Sequence, residues 1–195
     1  MTQLGMFPGN VRDTLGAYAT MVPSSPSTFF RASQPRVGLY DSASDTGSVA
    51  LTTQVMTSVP IYLAAGDVVT NISAVSGATA AGTPTNWWFA LYDTQATPAL
   101  LAQSADQTSG AWAAFTVKTL ALSAAQTITK TGVYWVGIHV KATTVPTLLG
   151  SIAVKPVVTG ERNLAQTSGS ALTATAPATI ATPTVANFAP YVVLT

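Results

Sequence analysis

Asn86-Trp-Trp-Phe-Ala-Leu-Tyr-Asp93 is the densest aromatic block in a chain otherwise rich in Ala, Thr, Ser and Val. Side chains alternate across a β-strand, so Trp87, Phe89 and Leu91 share one face while Trp88, Ala90 and Tyr92 share the other. Large apolar groups on both faces place this strand inside a sandwich or barrel, or at a contact between chains. With no catalytic group beside it, the stretch reads as a packing and assembly device, with Trp87 or Trp88 against a second sheet or a second chain.

Working outward, the strand Val133 to Lys141 carries the next clearest pattern. Tyr134, Val136, Ile138 and Val140 form an apolar face, opposite Val133, Trp135, Gly137, His139 and Lys141. Glycine weakens a strand unless something packs closely over it, so Trp135 or a partner's side chain is expected across Gly137. Further strands are read at Val49–Met56, Val59–Leu63, Val68–Val75, Leu100–Ala105 and Ala113–Leu122, the last with Phe115 and Val117 on one face. Short strands follow around Leu148-Leu149 and over Ile152–Val158, then a turn at Gly160-Glu-Arg-Asn163. Ala165 to Ala186, almost all Ala, Thr, Ser and Pro, reads as either a long covering loop or a weak edge. Phe188 to Thr195 closes the chain as a strand paired into a sheet, because an unpaired apolar edge invites aggregation.

Turn signals every 8–12 residues, with little helical periodicity, predict an all-β fold: an antiparallel, jelly-roll-like β-sandwich. Residues 48–195 are assigned to the sandwich and residues 1–47 to an extended N-terminal arm. Val22-Pro-Ser-Ser-Pro26 and Gln34-Pro35 cannot continue a helix or a central strand. The arm also holds Arg12, Arg31 and Arg36 beside Phe29-Phe30 and Leu39-Tyr40. Such a segment either straps across a neighbour or frays as a tail.

The chain has 195 residues and no cysteine, which excludes disulfides and thiolate metal sites. Only 8% of residues are charged, against roughly a quarter in ordinary soluble domains. A net charge of +1 provides no field for steering nucleic acid or an anionic membrane. With a mean hydropathy of +0.37, the surface is one of hydroxyls, amides and methyls. That suits a neutral secreted-type β domain or a subunit packed in an assembly, since interface cores are depleted in charge. No apolar run is long enough for a spanning helix, and the N-terminus lacks the pattern of a signal peptide. The expectation is synthesis in a cytoplasm without an export signal.

The inventory for catalysis is thin. His139 is the one histidine, and no Gly-x-Ser-x-Gly elbow is present. Asp41, Asp45, Asp67, Asp93, Asp106 and Glu161 stand singly at turns, where Asx hydrogen bonding accounts for them. A glycosidase would need two facing carboxylates; Asp67 and Asp93 are the pair that could meet in space. The acids follow no calcium-loop motif, and Gly77 to Gly82 lacks the Lys and helix of a phosphate loop. No enzyme activity, metal or cofactor is expected. Binding remains. Trp87, Trp88, Trp112 and Trp135 with Tyr62, Tyr92 and Tyr134 are either a platform for sugar rings or core and inter-subunit packing. Trp112, in the loop Ser109-Gly-Ala-Trp-Ala113, is the leading candidate for an exposed ligand contact, with Trp88 second.

Val59-Pro-Ile-Tyr-Leu-Ala-Ala-Gly66, Thr83 to Asp93, Leu101-Ala-Gln-Ser104, Ala111 to Leu120 and Gly132 to Ile138 together resemble a domain of tailed-bacteriophage structural proteins, especially those of actinobacteriophages. The resemblance spans about the middle half of the chain and rests on strand and turn sequences. It implies a jelly-roll-like sandwich on a virion surface, oligomeric (a trimer among the options) and without enzymatic activity. The arm would attach it to other virion proteins, with no nucleic-acid or membrane partner. It implies no functional residue. The first reading is thus a virion structural protein, made in the host cytoplasm, that decorates the capsid or forms a head or tail surface component. The second is a host-surface or carbohydrate-binding module of a tail fibre or tip, with a host-surface glycan as partner.

Overall fold

A computed structural model describes residues 31–34, 50–153 and 155–195, and these contain strands and turns but no helix. The strands are β1 (Arg31–Ala32), β2 (Met56–Leu63), β3 (Val68–Val75), β4 (Asn86–Tyr92), β5 (Leu100–Gln103), β6 (Val117–Thr127), β7 (Gly132–Lys141), β8 (Gly150–Ile152), β9 (Gln166–Ser168), β10 (Thr184–Val185), β11 (Phe188–Pro190) and β12 (Val192–Leu194). All pairings between them are antiparallel.

The pairing pattern is that of a long hairpin rolled on itself: β1 with β12, β2 with β7, β3 with β6, and β4 with β5. Rolling adds the contacts of β12 with β3 and of β7 with β4. The products are a four-stranded sheet, β1-β12-β3-β6, and a second sheet, β10-β9-β2-β7-β4-β5, whose last four strands complete the jelly roll. A small ribbon, β8 with β11, stands beside them.

The alternation read from the sequence decides which residues meet. Trp87, Phe89 and Leu91 of β4, and Tyr134, Val136, Ile138 and Val140 of β7, face the four-stranded sheet. There they meet Val69, Ile72, Leu120, Leu122, Val192 and Leu194 in one continuous core. Across the second sheet, Trp88, Ala90 and Tyr92 form a separate cluster with Met56 and Trp135, closed by Ala176 and Ile180. Pro60 lies in β2 just beyond Met56–Ser58, the part paired with β9, where a missing N–H is tolerated.

Several expectations are corrected. The strand expected from Val49 begins instead at Met56, because Gln54 adopts a left-handed φ of 61° that ends any ladder before it; Val49 itself lies outside the described residues. Phe115, with φ 51°, likewise stands before β6. Phe115 and Val117 are both exposed, and β6 starts at Val117 and runs on to Thr127. The region 165–186 answers to both of its readings, since β9 and β10 form the sheet edge and the residues between them cover the sheet. Of the arm, Arg31–Ala32 is built into the sandwich as its edge strand, and Gln34 donates to Ala189 O at 2.8 Å. The remaining arm residues lie outside the described set.

Gly137 is covered by Met56 and Tyr92, in place of the expected Trp135 or partner side chain; a Cβ at this position would collide with Met56 Sδ. Gly137→Ala is therefore expected to destabilise the fold by about 1–3 kcal/mol through overpacking. Met56→Ala, which alone costs about 2–5 kcal/mol, should cost measurably less in the Gly137→Ala background. A urea-unfolding cycle showing strict additivity would contradict this contact.

Candidate functional site

The two tryptophans singled out as ligand contacts are both enclosed. Trp112 is 1% exposed and Trp88 is fully buried. Trp112 does sit in a loop, but that loop folds inward over the end of the sandwich. Its ring stacks on Trp87 with centroids 5.0 Å apart and meets Phe89 edge-on at 5.7 Å. Trp87 Nε1 donates to Gly110 O at 2.7 Å and Trp112 Nε1 to Thr116 O at 3.3 Å, so both indoles are tied to the loop they hold down. An aromatic ring occupied in this way has no face left for a sugar.

Trp88 is closed from outside by the chain itself. Residues 169–183 run as a strap over the outer face of β4, and the polar groups of that face secure it. Trp88 Nε1 donates to Thr173 O at 2.7 Å, and the Tyr92 hydroxyl to Pro177 O at 2.9 Å. Gln103 both donates to Ala174 O at 3.1 Å and accepts from Ala176 N at 2.6 Å. Burial holds the Tyr92 phenol well above its usual range. Of the two covers expected, a second sheet or a second chain, Trp87 meets the second sheet and Trp88 is covered by a segment of the same chain.

Under the strap, His139 is fully buried and stacks on Trp88, with centroids 4.7 Å apart. Neither ring nitrogen has a hydrogen-bond partner among the described residues, and the same is true of the Ser58 and Ser168 hydroxyls on this sheet face. The register sets Ser168, Met56, His139 and Trp88 side by side across β9, β2, β7 and β4. Burial lowers the imidazole pKa from 6.5 to about 4; the Leu172 backbone, too poorly placed for a good hydrogen bond, and Asp106 work against this, and Lys141 adds to it. His139 is therefore a neutral core residue, and no acid–base partner is hydrogen-bonded to it.

The described acids serve their own turns. Asp67 accepts from Ala64 N at 2.7 Å and lies 3.6 Å from Arg31. Asp106 accepts from Trp87 N at 2.9 Å and Asn86 Nδ2 at 2.7 Å. Burial would raise the Asp93 pKa, but hydrogen bonds from Ala99, Gln95 N and the Gln95 side chain outweigh it and hold the carboxyl below its ordinary range. Glu161 is likewise lowered, by the backbone N–H groups of Val158 and Val157. Asp67 and Asp93 are thus each engaged locally, and among the described residues no three His, Cys, Asp or Glu side chains gather to hold a metal ion. Asp41 and Asp45 lie outside the described residues.

Among the clefts open to solvent is one of about 480 Å³ at the edge of the strap. Its walls come from the turn after β4 with Gln95, from Trp135 of β7, from the turn bearing Glu161, Arg162 and Asn163, and from Gln166 of β9. Of these, Trp135 is among the aromatics that the sequence offers as a sugar platform; no spacing rule links it to Gln95, Asn163 or Gln166. No protein-family model matches the chain, and no curated protein matches it significantly.

The His139 environment carries a pH test. The folded-state pKa lies below the unfolded value, so the neutral ring favours the fold fully above about pH 6.5. That contribution is lost as pH falls from 6.5 towards 4, because only the unfolded chain takes up the proton there. Stability should fall by up to ~1.4 kcal/mol per pH unit across this window. His139→Phe, which keeps a ring against Trp88 without a titrating group, should flatten the profile. Equal slopes in denaturant melts of both proteins would contradict the buried, neutral assignment.

Proposed function

We propose that this chain is a non-enzymatic structural subunit of a tailed-bacteriophage virion, a capsid decoration or a head or tail surface component present in many copies. The observation that carries the reading is an apolar surface on a chain with hardly any charge. Ile152, Val157, Val158 and Leu164 are 62%, 82%, 64% and 56% exposed, and Ile152 and Leu164 border the same small depression. Exposed apolar patches of this kind mark protein–protein contacts, and charge depletion is the composition of an interface core. The jelly-roll sandwich agrees with what the resemblance to tailed-phage structural proteins implies. The resembling runs overlap β2, β4, β5, β6 and β7, the strands that build the sandwich. A further copy of the same chain is the natural cover for the patch.

The receptor-binding alternative loses the two contacts named for it, since Trp112 and Trp88 are enclosed. Multi-angle light scattering of the full chain at micromolar concentration should report an oligomer. Ile152→Lys with Leu164→Lys should shift it towards monomer while leaving the melting temperature nearly unchanged, because exposed substitutions alter stability by only about 0.5 kcal/mol. The copy number in purified particles then separates a capsid lattice, with hundreds of copies, from a tail component with few. A clean monomer with the arm intact, absent from particles, would overturn the proposal.

A further inference from the structure

We propose that the cleft at Trp135 is a binding site for a neutral saccharide. Trp87, Trp88 and Trp112 each give their indole N–H to a backbone carbonyl, at Gly110, Thr173 and Thr116. Trp135 has no acceptor among the described residues, although the residue is only 4% exposed and lines the cleft. Its nitrogen is not one of the fully enclosed, unpartnered polar atoms, so the donor is reachable from solvent. Buried indoles ordinarily find a partner, and an indole with a reachable, unused N–H in a concave site is poised to receive one from outside.

The neighbouring amides complete the pattern. Gln166, also 4% exposed, accepts from Asn163 Nδ2 at 2.9 Å. This leaves the Gln166 amino group as donor and the Asn163 oxygen as acceptor towards the cleft. Gln95 spends its amino group on Asp93, which leaves its oxygen free to accept. Interleaved donors and acceptors suit sugar hydroxyls, each of which can donate one hydrogen bond and accept others. The charges on the wall are one of each sign, Arg162 and Glu161, and the Glu161 carboxylate already accepts from Val157 N and Val158 N. Such a wall selects neither an anion nor a cation, which favours an uncharged polyol over a phosphate or an acidic peptide. The volume falls in the range of ~300–1,000 Å³ typical of small-molecule sites. The assignment is independent of whether the chain assembles into a particle.

The test is a ¹H–¹⁵N titration of the full chain with methyl glycosides of glucose, galactose, N-acetylglucosamine and arabinose, reading the four indole N–H signals. Trp135→Phe assigns the Trp135 signal. At least one glycoside should shift that signal saturably while leaving the Trp87, Trp88 and Trp112 signals in place. Asn163→Ala and Arg162→Ala, at less enclosed positions and with the unliganded indole signals unchanged, should weaken the saturating response of the responsive glycoside about tenfold or more. Inorganic phosphate and acetate are the anion probes. A Trp135 response to phosphate or acetate but to no glycoside, or no response at tens of millimolar of any glycoside, would overturn the assignment. So would a glycoside response that Asn163→Ala and Arg162→Ala leave unchanged.

Discussion

The structure depends on one packing constraint: β4 carries large rings on both of its faces, and neither face tolerates water. The inner face is solved by the jelly roll, which sets β3, β6 and β12 against Trp87, Phe89 and Leu91. The outer face cannot be solved by the roll, because a two-sheet sandwich covers each sheet on one side only. Residues 169–183 supply the missing layer. Much of the remaining architecture follows from bringing that segment into place, including the extension of the second sheet by β9 and β10 on either side of it.

A strap of Ala, Thr, Ser and Pro is well suited to this task for a physical reason. It forms no regular element of its own, so its backbone carbonyls need partners when buried. Trp88, Tyr92 and Gln103 are amphipathic: their bodies fill the apolar layer while their polar ends bond those carbonyls. The same interactions close the aromatic face and satisfy the segment that closes it. His139, Ser58 and Ser168 mark where the match is incomplete, and there the imidazole stays neutral in preference to carrying a charge without a counter-ion.

Closure of both faces moves the interesting surface elsewhere. The rings of β4, together with Trp112, are taken up in internal packing. The proposed recognition surfaces are less conspicuous: exposed aliphatics near β8 and the following turn, and a polar cleft where the strap, β7 and β9 converge. The first surface is suited to another protein and the second to a small hydroxylated ligand. A virion subunit that also contacts a cell-surface sugar would use both without conflict, since the depression beside Ile152 and the cleft beside Trp135 have separate linings.

The period-two alternation at 86–92 and 132–141 by itself determined the all-β class, the two-faced burial of β4 and the core face of β7, because strand side chains alternate whatever surrounds them. The terminal run was legible as apolar and paired, but not its division at Tyr191 into β11, paired with β8, and β12, paired with β1 and β3. Burial of Trp112 was not legible: a loop residue points wherever long-range contacts take it, and here Trp87 draws the loop inward by stacking on the Trp112 ring and by donating its indole N–H to Gly110 O. Nor was β1, whose two residues become a strand only because Leu194 and Val193 lie beside them at the far end of the chain. The cleft belongs to the same class, gathering residues 95, 135, 163 and 166 from elements with no shared periodicity. Local pattern determines which face a side chain takes, and only the rolled topology decides what that face meets.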